Sequence, residues 1–487
     1  MYLRAVTTAA AIVVVVLLTF VPLSSNDFWL QAAVGRMIWT NGEIPRTALF
    51  PFTEAADFPF FAHEWLSSVV FFLLDEYLGY DSLLFAKGFL GLALFGLAFR
   101  LSYRLSANFT ASLVVSLAAM AAANYRHFLR PEIFGLLFTL SVLSLMVEFR
   151  ATGKWRYLVA CAPVALLWAN SHGSFPVALV IAASFCAGAA VESITAAPST
   201  RLRAGALAAM PYLLALLLMG LAMLINPYGL RLFQFAWELQ GSGFLRTHIY
   251  EWMPSLSGPF VGSRGFWVFM AFLALVAATL SAGWRSVPPG GALLLLLFGS
   301  LALQTQRHIA LFAMVSIYPL AAAMRAPGAK LERLALIRAS LPALLVLCTA
   351  ALVRYGNVYG AYPYFSESRN FSPLLIEYLD DPLRHGNVLN SYALGAELAY
   401  RYYPRLRPAI DSRVDVYGKE YFERLAALHT DEQALRQFIE RYRVGYMLLL
   451  WPEFEAGMRG MQRLREDGWR IAFADHKVVL LAWQPAF

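Results

Sequence analysis

Residues 205–225 read GALAAMPYLLALLLMGLAMLI, preceded by Arg201 and Arg203 and followed by Asn226-Pro227-Tyr228-Gly229. No charge interrupts the run, and it has the roughly 20 apolar residues that cross a bilayer as a helix. Arginines at one end and turn residues at the other give it a direction, because basic residues in short loops stay cytoplasmic. The pattern recurs. Apolar runs near 6–23, 83–101, 110–124, 133–149, 157–170, 175–194, 205–225, 264–282, 290–304, 309–324 and 336–353 predict eleven spans. The run 65–80 is also apolar, but Asp75 and Glu76 interrupt it, so it reads as an amphipathic helix on the membrane surface.

Composition agrees. Hydrophobic residues make up 59% of the chain and charged residues 14%, with a mean hydropathy of +0.56. An average soluble chain is about 25% charged. The net charge of +8 does not imply nucleic acid, since the basic residues sit in short loops and no nucleic-acid motif is present. Cys161, Cys186 and Cys348 all fall within apolar runs, as small hydrophobes do. The first run is long for a signal core and lacks a small-x-small cleavage site, so a retained first span is expected.

With the N-terminus inside, the cytoplasmic segments carry thirteen basic residues against three acidic ones, Glu148, Glu192 and Glu332. That bias puts the first long loop, 24–82, and everything after 353 outside. The tail, 354–487, is a different kind of chain, with seventeen basic and seventeen acidic residues from Arg354 onward. Apolar strands alternate with amphipathic helices and end in a hairpin at 469–475 and 477–483, which predicts a small α/β domain with a mostly parallel sheet. Two domains follow: a helical membrane domain, 1–353, that includes the loop 24–82, and an extracytoplasmic α/β domain, 354–487.

The outward turns hold most of the unusual polar residues, each beside an apolar span. Polar groups are costly near lipid unless paired or functional, so their gathering on one face points to a site. Asp27 follows the first span. It is either an interfacial acid or a general base that takes a proton from an attacking hydroxyl or amine. His63 and Glu64 open the next helix, where Glu64 also suits the helix dipole. Asp27, His63 and Glu64 are also donors a divalent metal would use, although their spacing matches no metal motif. Arg126 and Arg130 run against the positive-inside trend and need an anion, either Glu132 or a phosphate, which suits the planar fork of arginine. Arg307 and His308 form a second phosphate candidate. Asn170 and His172 end the fifth span, and Asn226 ends the seventh, where a plain turn explains it equally well. Glu251-Trp252 suits a sugar face or an interfacial anchor. All five histidines of the membrane part (His63, His127, His172, His248 and His308) lie on the outer side.

These residues, in this order, resemble the GT-C superfamily of membrane glycosyltransferases. The nearest likeness is to bacterial proteins related to protein mannosyltransferases and aminoarabinose transferases. It rests on Asp27-Phe28-Trp29, Gly42-Glu43-Ile44-Pro45, His63-Glu64-Trp65-Leu66, Arg130-Pro131-Glu132, Asn170-Ser171-His172-Gly173, Asn226-Pro227-Tyr228-Gly229, Glu251-Trp252, Arg307-His308 and Asp411-Ser412-Arg413-Val414-Asp415-Val416-Tyr417-Gly418. The resemblance covers nearly the whole chain. It implies a bacterial inner-membrane enzyme that moves a hexose or pentose from a polyprenyl-phosphate donor to a glycan, lipid or protein acceptor at the outer face, with inversion. Asp27 would be the catalytic base, with His63 and Glu64 beside it. Arg126, Arg130, Arg307 and His308 would hold the donor phosphate. Asn170, His172, Asn226, Glu251 and Trp252 would line the sugar or acceptor pocket. Protein mannosyltransferases carry an Asp-Glu pair where this chain has Asp27-Phe28, so a second carboxylate must come from Glu64 or elsewhere. The competing readings are a transporter or flippase of lipid-linked saccharides and an oligosaccharide ligase or polymerase. Against transport, charges cluster at one face, Lys87 is the main candidate for depth in a span, and no internal repeat is evident.

Overall fold

The computed structural model describes residues 2–19, 26–123, 129–196, 201–325, 335–359, 370–455 and 468–483. The helices are α1 (Tyr2–Thr19), α2 (Asn26–Asn41), α3 (Trp65–Leu78), α4 (Tyr80–Ser106), α5 (Phe109–Ala123), α6 (Glu132–Thr152), α7 (Arg156–Ser171), α8 (Val177–Ala196), α9 (Arg201–Met223), α10 (Arg231–Gly241), α11 (Gly243–His248), α12 (Arg264–Gly283), α13 (Pro289–Gln304), α14 (Ile309–Ala323) and α15 (Ala335–Tyr359). Four more follow, α16 (Pro373–Asp380), α17 (Tyr392–Tyr402), α18 (Val414–Ala427) and α19 (Glu432–Tyr442), among strands β1 (Gly386–Asn390), β2 (Leu406–Pro408), β3 (Val444–Leu450), β4 (Trp469–Ala474) and β5 (Val478–Trp483). Each of the eleven apolar stretches falls on a helix. Among the described residues, five helices are long and apolar enough to cross a membrane, and they correspond to α4, α6, α8, α9 and α12.

The chain forms two compact units, Met1–Pro22 with Leu84–Tyr364, and Leu23–Leu83 with Phe365–Phe487. In the first, α14 is the centre. Every one of its residues is buried, and it packs against α5, α6, α12 and α13. This explains α5, which is short and rich in Ala and Ser. Its small side chains let neighbouring backbones approach, and most of the helix is buried. The α8–α13 crossing uses the same device, since a Cβ on Gly188 would come within 2.6 Å of the Gly290 backbone nitrogen.

The second unit joins the first long loop to the tail. Contacts between segments remote in sequence hold it together. Thr47 and Pro59 pair as a small bridge, Phe52 N–H donates to Pro408 O at 3.1 Å, and Ala55 sits in the core of the sheet domain. On α2, Arg36 donates to Ala399 O at 3.1 Å and Tyr403 O at 3.5 Å, capping the carbonyl end of α17. Trp29 packs on Tyr400, Arg401 lies 4.9 Å from the Trp29 ring centre, and Tyr400 donates to Asp75 of α3. Burial first and then Asp75 push the Tyr400 phenol above its ordinary pKa. The sheet has strand order β2-β1-β3-β5-β4. It is mixed rather than mostly parallel, because β2, β1 and β3 run together while the final hairpin returns antiparallel against β3.

Within this unit, α2 and α3 touch at Gly35. A Cβ there would lie 2.0 Å from Ser68 O and 2.9 Å from Phe72 Cβ. Gly35→Leu should therefore force the helices apart and destabilise this unit by about 1–3 kcal/mol. A thermal melt of purified protein in detergent checks it, and an unchanged midpoint would show that the contact yields freely.

Candidate functional site

Most of the described sequence candidates fall into two groups, one in each unit. In the second unit, Asp27 lies half-buried in the first turn of α2, and Glu64 is the N-cap of α3. Both carboxylates thus meet the positive end of a helix. Glu64 Oε2 accepts from Gln31 Nε2 at 2.6 Å, and Gln31 Oε1 accepts from the Ser68 hydroxyl. His63 donates through Nδ1 to Phe61 O at 3.0 Å, which leaves Nε2 3.7 Å from Glu64 Oε1. Among the described residues, no three His, Cys, Asp or Glu side chains stand close enough to hold a metal ion. Among the described residues, the donor set here does not assemble a metal site.

In the first unit, three loop segments meet. The turn Tyr250–Trp252 is tied to the turn Gln306–His308 by Gln306 N–H donating to Met253 O at 3.1 Å and Ser255 Oγ donating to Ala302 O at 2.6 Å. The third segment supplies Arg130, whose Nη1 donates to Glu251 Oε1 at 2.6 Å. Trp252 is 4% exposed, and the Arg307 guanidinium sits 4.7 Å from its ring centre. One ring face is thus covered by a cation, an arrangement worth about 0.5–2 kcal/mol. Among the described residues, Arg307 has no acidic partner, whereas Arg130 is already paired. His308 bonds Thr305 Oγ1 through Nδ1 and lies with Nε2 3.1 Å from Gln240 Nε2 of α10. Arg126 and His127 lie outside the described residues.

The remaining candidates bond within or between the helix ends that carry them. Asn170 spends its amide on Leu166 O at 2.8 Å and Ile225 O at 3.0 Å, joining the end of α7 to the segment after α9. Asn226 uses both ends of its amide within its own turn, donating to Met223 O and accepting from Tyr228 N–H at 2.7 Å. His172 is buried. It accepts at Nδ1 from Ser174 N–H at 3.2 Å, which puts its proton on Nε2. Its ring fills a notch left by Gly135, where a Cβ would come within 2.7 Å of Nδ1. Gln31, Ser68, Ser174 and Gln240 are not singled out by the sequence pattern. Only Gln31 carried a signal there, its position one turn after Asp27. Lys87 is fully buried in α4, where an ammonium needs a charged or lone-pair partner.

No family model and no curated protein matches the chain. Solved structures do. The Archaeoglobus fulgidus oligosaccharyltransferase, crystallised with a tethered acceptor peptide, aligns with a TM-score of 0.62 at 14% identity, over 99% of this chain and 74% of its own. The same organism's AglB, in complex with an inhibitory peptide and a dolichol-phosphate, aligns at 0.53 and 13% identity, over 96% and 72%. ArnT from Cupriavidus metallidurans, bound to undecaprenyl phosphate, aligns at 0.54 and 13% identity, over 100% of this chain and 99% of that one. The chain therefore shares its fold with these oligosaccharyltransferase and ArnT structures.

Proposed function

We propose that this chain is a membrane glycosyltransferase that takes a sugar from a polyprenyl-phosphate donor and passes it to an acceptor at the outer face of a bacterial cytoplasmic membrane. The observation that carries the reading is the end-to-end likeness to ArnT bound to undecaprenyl phosphate, covering 100% and 99% of the two chains. The AglB complex with a dolichol-phosphate supports the same class of carrier. The acceptor is a glycan, lipid or protein.

Each residue then takes a role its chemistry allows. The acceptor hydroxyl or amine attacks the anomeric carbon, the bond from that carbon to the phosphate oxygen breaks, and Asp27 receives the acceptor's proton. The lipid phosphate leaves with its negative charge. Arg307 is the cation assigned to that charge, because it is braced on Trp252 and has no acidic partner among the described residues. His308 lies beside it in sequence. Arg130 joins only by exchanging Glu251 for phosphate. Trp252 acts as a platform for Arg307, and Glu251 holds Arg130, so neither is assigned to the sugar. His63 and Glu64 support Asp27.

The test is turnover. Purified protein in lipid vesicles is incubated with undecaprenyl-phosphate-linked pentoses and hexoses and a cell-envelope acceptor fraction, and free undecaprenyl phosphate is measured. Donor consumption with sugar in the acceptor supports the reading. Movement of intact donor between leaflets without consumption replaces it with a flippase. Arg307→Leu should weaken donor binding about 10- to 100-fold, the worth of a charge-assisted hydrogen bond. Steady-state kinetics against donor checks this, and an unchanged KM removes Arg307 from the phosphate.

A further inference from the structure

Between Asp27 on its own helix and Glu64, to which it bonds, stands Gln31, a residue to which neither composition nor resemblance gives a role. Asp27, Gln31 and Gly35 are spaced four apart on α2, so they form one stripe. Glu64, Ser68 and Phe72 form the matching stripe at the start of α3. Gln31 bonds Glu64 and Ser68, while Gly35 abuts Ser68 and Phe72. Register advances in the same sense on both helices, so they run the same way and bring their N-terminal ends, with Asp27 and Glu64, to the same end of the pair. Gly35 lets the backbones close, and Gln31 spans the gap above it. Its carboxamide is used at both ends. The amide donates to Glu64 Oε2 at 2.6 Å and the carbonyl accepts from Ser68, whose hydroxyl also lies 3.0 Å from Glu64 O.

We propose that Gln31 is the positioning residue that fixes Glu64 beside the catalytic base. Its bond to Oε2 favours the ionised carboxylate, because an amide N–H pairs with an unprotonated oxygen. Glu64 is then fixed in direction with Oε2 occupied by the amide, and the acceptor's proton goes to Asp27. A neutral donor is needed at position 31. A carboxylate there would stand within hydrogen-bond reach of Glu64 and one turn from Asp27. This inference rests on the proposed role of Asp27.

Two substitutions test it, with the whole protein in lipid vesicles. Gln31→Glu keeps the shape and changes only the charge. Two carboxyl groups at that separation share one proton, so an infrared pH titration of the purified protein should show one additional protonated carboxyl persisting to near neutral pH. This readout needs no substrate. With an undecaprenyl-phosphate sugar that the wild type consumes, the acidic limb of the kcat/KM profile should move up by about one pH unit, because a new negative charge lies beside the base. Gln31→Met removes both bonds without adding charge. It should lower kcat about 10-fold at unchanged donor KM and leave the acidic limb in place. An unshifted limb and no added carboxyl proton in Gln31→Glu, with Asp27→Asn inactive, overturns the role of Gln31 alone. An active Asp27→Asn overturns the reading beneath it as well.

Discussion

Asp27→Asn is expected to reduce sugar transfer by about 10²- to 10⁴-fold, the contribution of a positioned proton acceptor, with little change in the stability of the protein. The substitution keeps the shape of the side chain and removes its ability to take a proton. Stability should hold because the surroundings anchor the helix independently. Phe28 and Trp29, the next two residues, are buried. Trp29 stacks on Tyr80 with ring centres 5.7 Å apart and packs on Tyr400 at 5.4 Å. Arg36 ties the far half of α2 to the end of α17. None of these contacts involves the Asp27 carboxylate, so loss of turnover is separable from loss of fold. The measurement is kcat in vesicles with donor in excess, beside a thermal melt. Glu64→Gln gives the useful contrast. It retains a hydrogen-bonding partner for Gln31 and removes only charge, so its rate should fall less than that of Asp27→Asn. Wild-type turnover in Asp27→Asn would end its assignment as the base, and a matching collapse of the melt would make the loss structural.

The helices were the legible part, because a bilayer demands long apolar segments and each leaves its own mark on the chain. The stretch at 110–124 is weak by bulk, since Ala and Ser bury little area, yet their smallness is what lets α5 enclose α14. The partnership of the first loop with the tail was not legible. Arg36 and Ala399 are 363 positions apart, and local periodicity carries no record of such a pairing. Among the candidate site residues, Asp27 and Glu64 stand out in the sequence because a carboxylate beside an apolar helix is unusual. Trp252 could not be assigned from sequence, since a Trp beside an acid looks the same whether its face is open to a sugar or covered by Arg307. Asn226 offered a turn and a ligand equally, and its bonds to Met223 O and Tyr228 N–H account for the turn. Gln31 was within reach by helical spacing alone, but nothing in the pattern links it to Glu64 until α2 and α3 meet.

Asp411→Ala should destabilise the unit that carries Asp27 by about 3–5 kcal/mol, because it leaves a buried guanidinium without its counter-charge. Asp411 is 0% exposed and Arg413 3% exposed. Arg413 Nε donates to Asp411 Oδ1 at 2.8 Å, its Nη2 reaches both Asp411 Oδ2 and Ala48 O, and the guanidinium lies 5.0 Å and 4.7 Å from the ring centres of Phe50 and Phe60. Burial works against the Arg413 charge, and Asp411 with Tyr417 outweighs it, so its pKa stands above the ordinary arginine value. Three of the groups around that guanidinium (Ala48, Phe50 and Phe60) come from the first loop. The damage should therefore appear in that loop as well as in the sheet domain. Hydrogen exchange should rise at residues 46–60, and the thermal midpoint should fall. The apolar pair Asp411→Leu with Arg413→Met should restore much of the stability, since a buried ion pair returns little beyond its own desolvation cost. The Ala48 carbonyl would lose Arg413 and keep the Phe50 N–H at 2.7 Å, so the double variant leaves no orphaned acceptor there. If Asp411→Ala leaves both the midpoint and the exchange of 46–60 unchanged, the pair does not hold the loop, and the sheet domain has no grip on the acid-bearing helix through it.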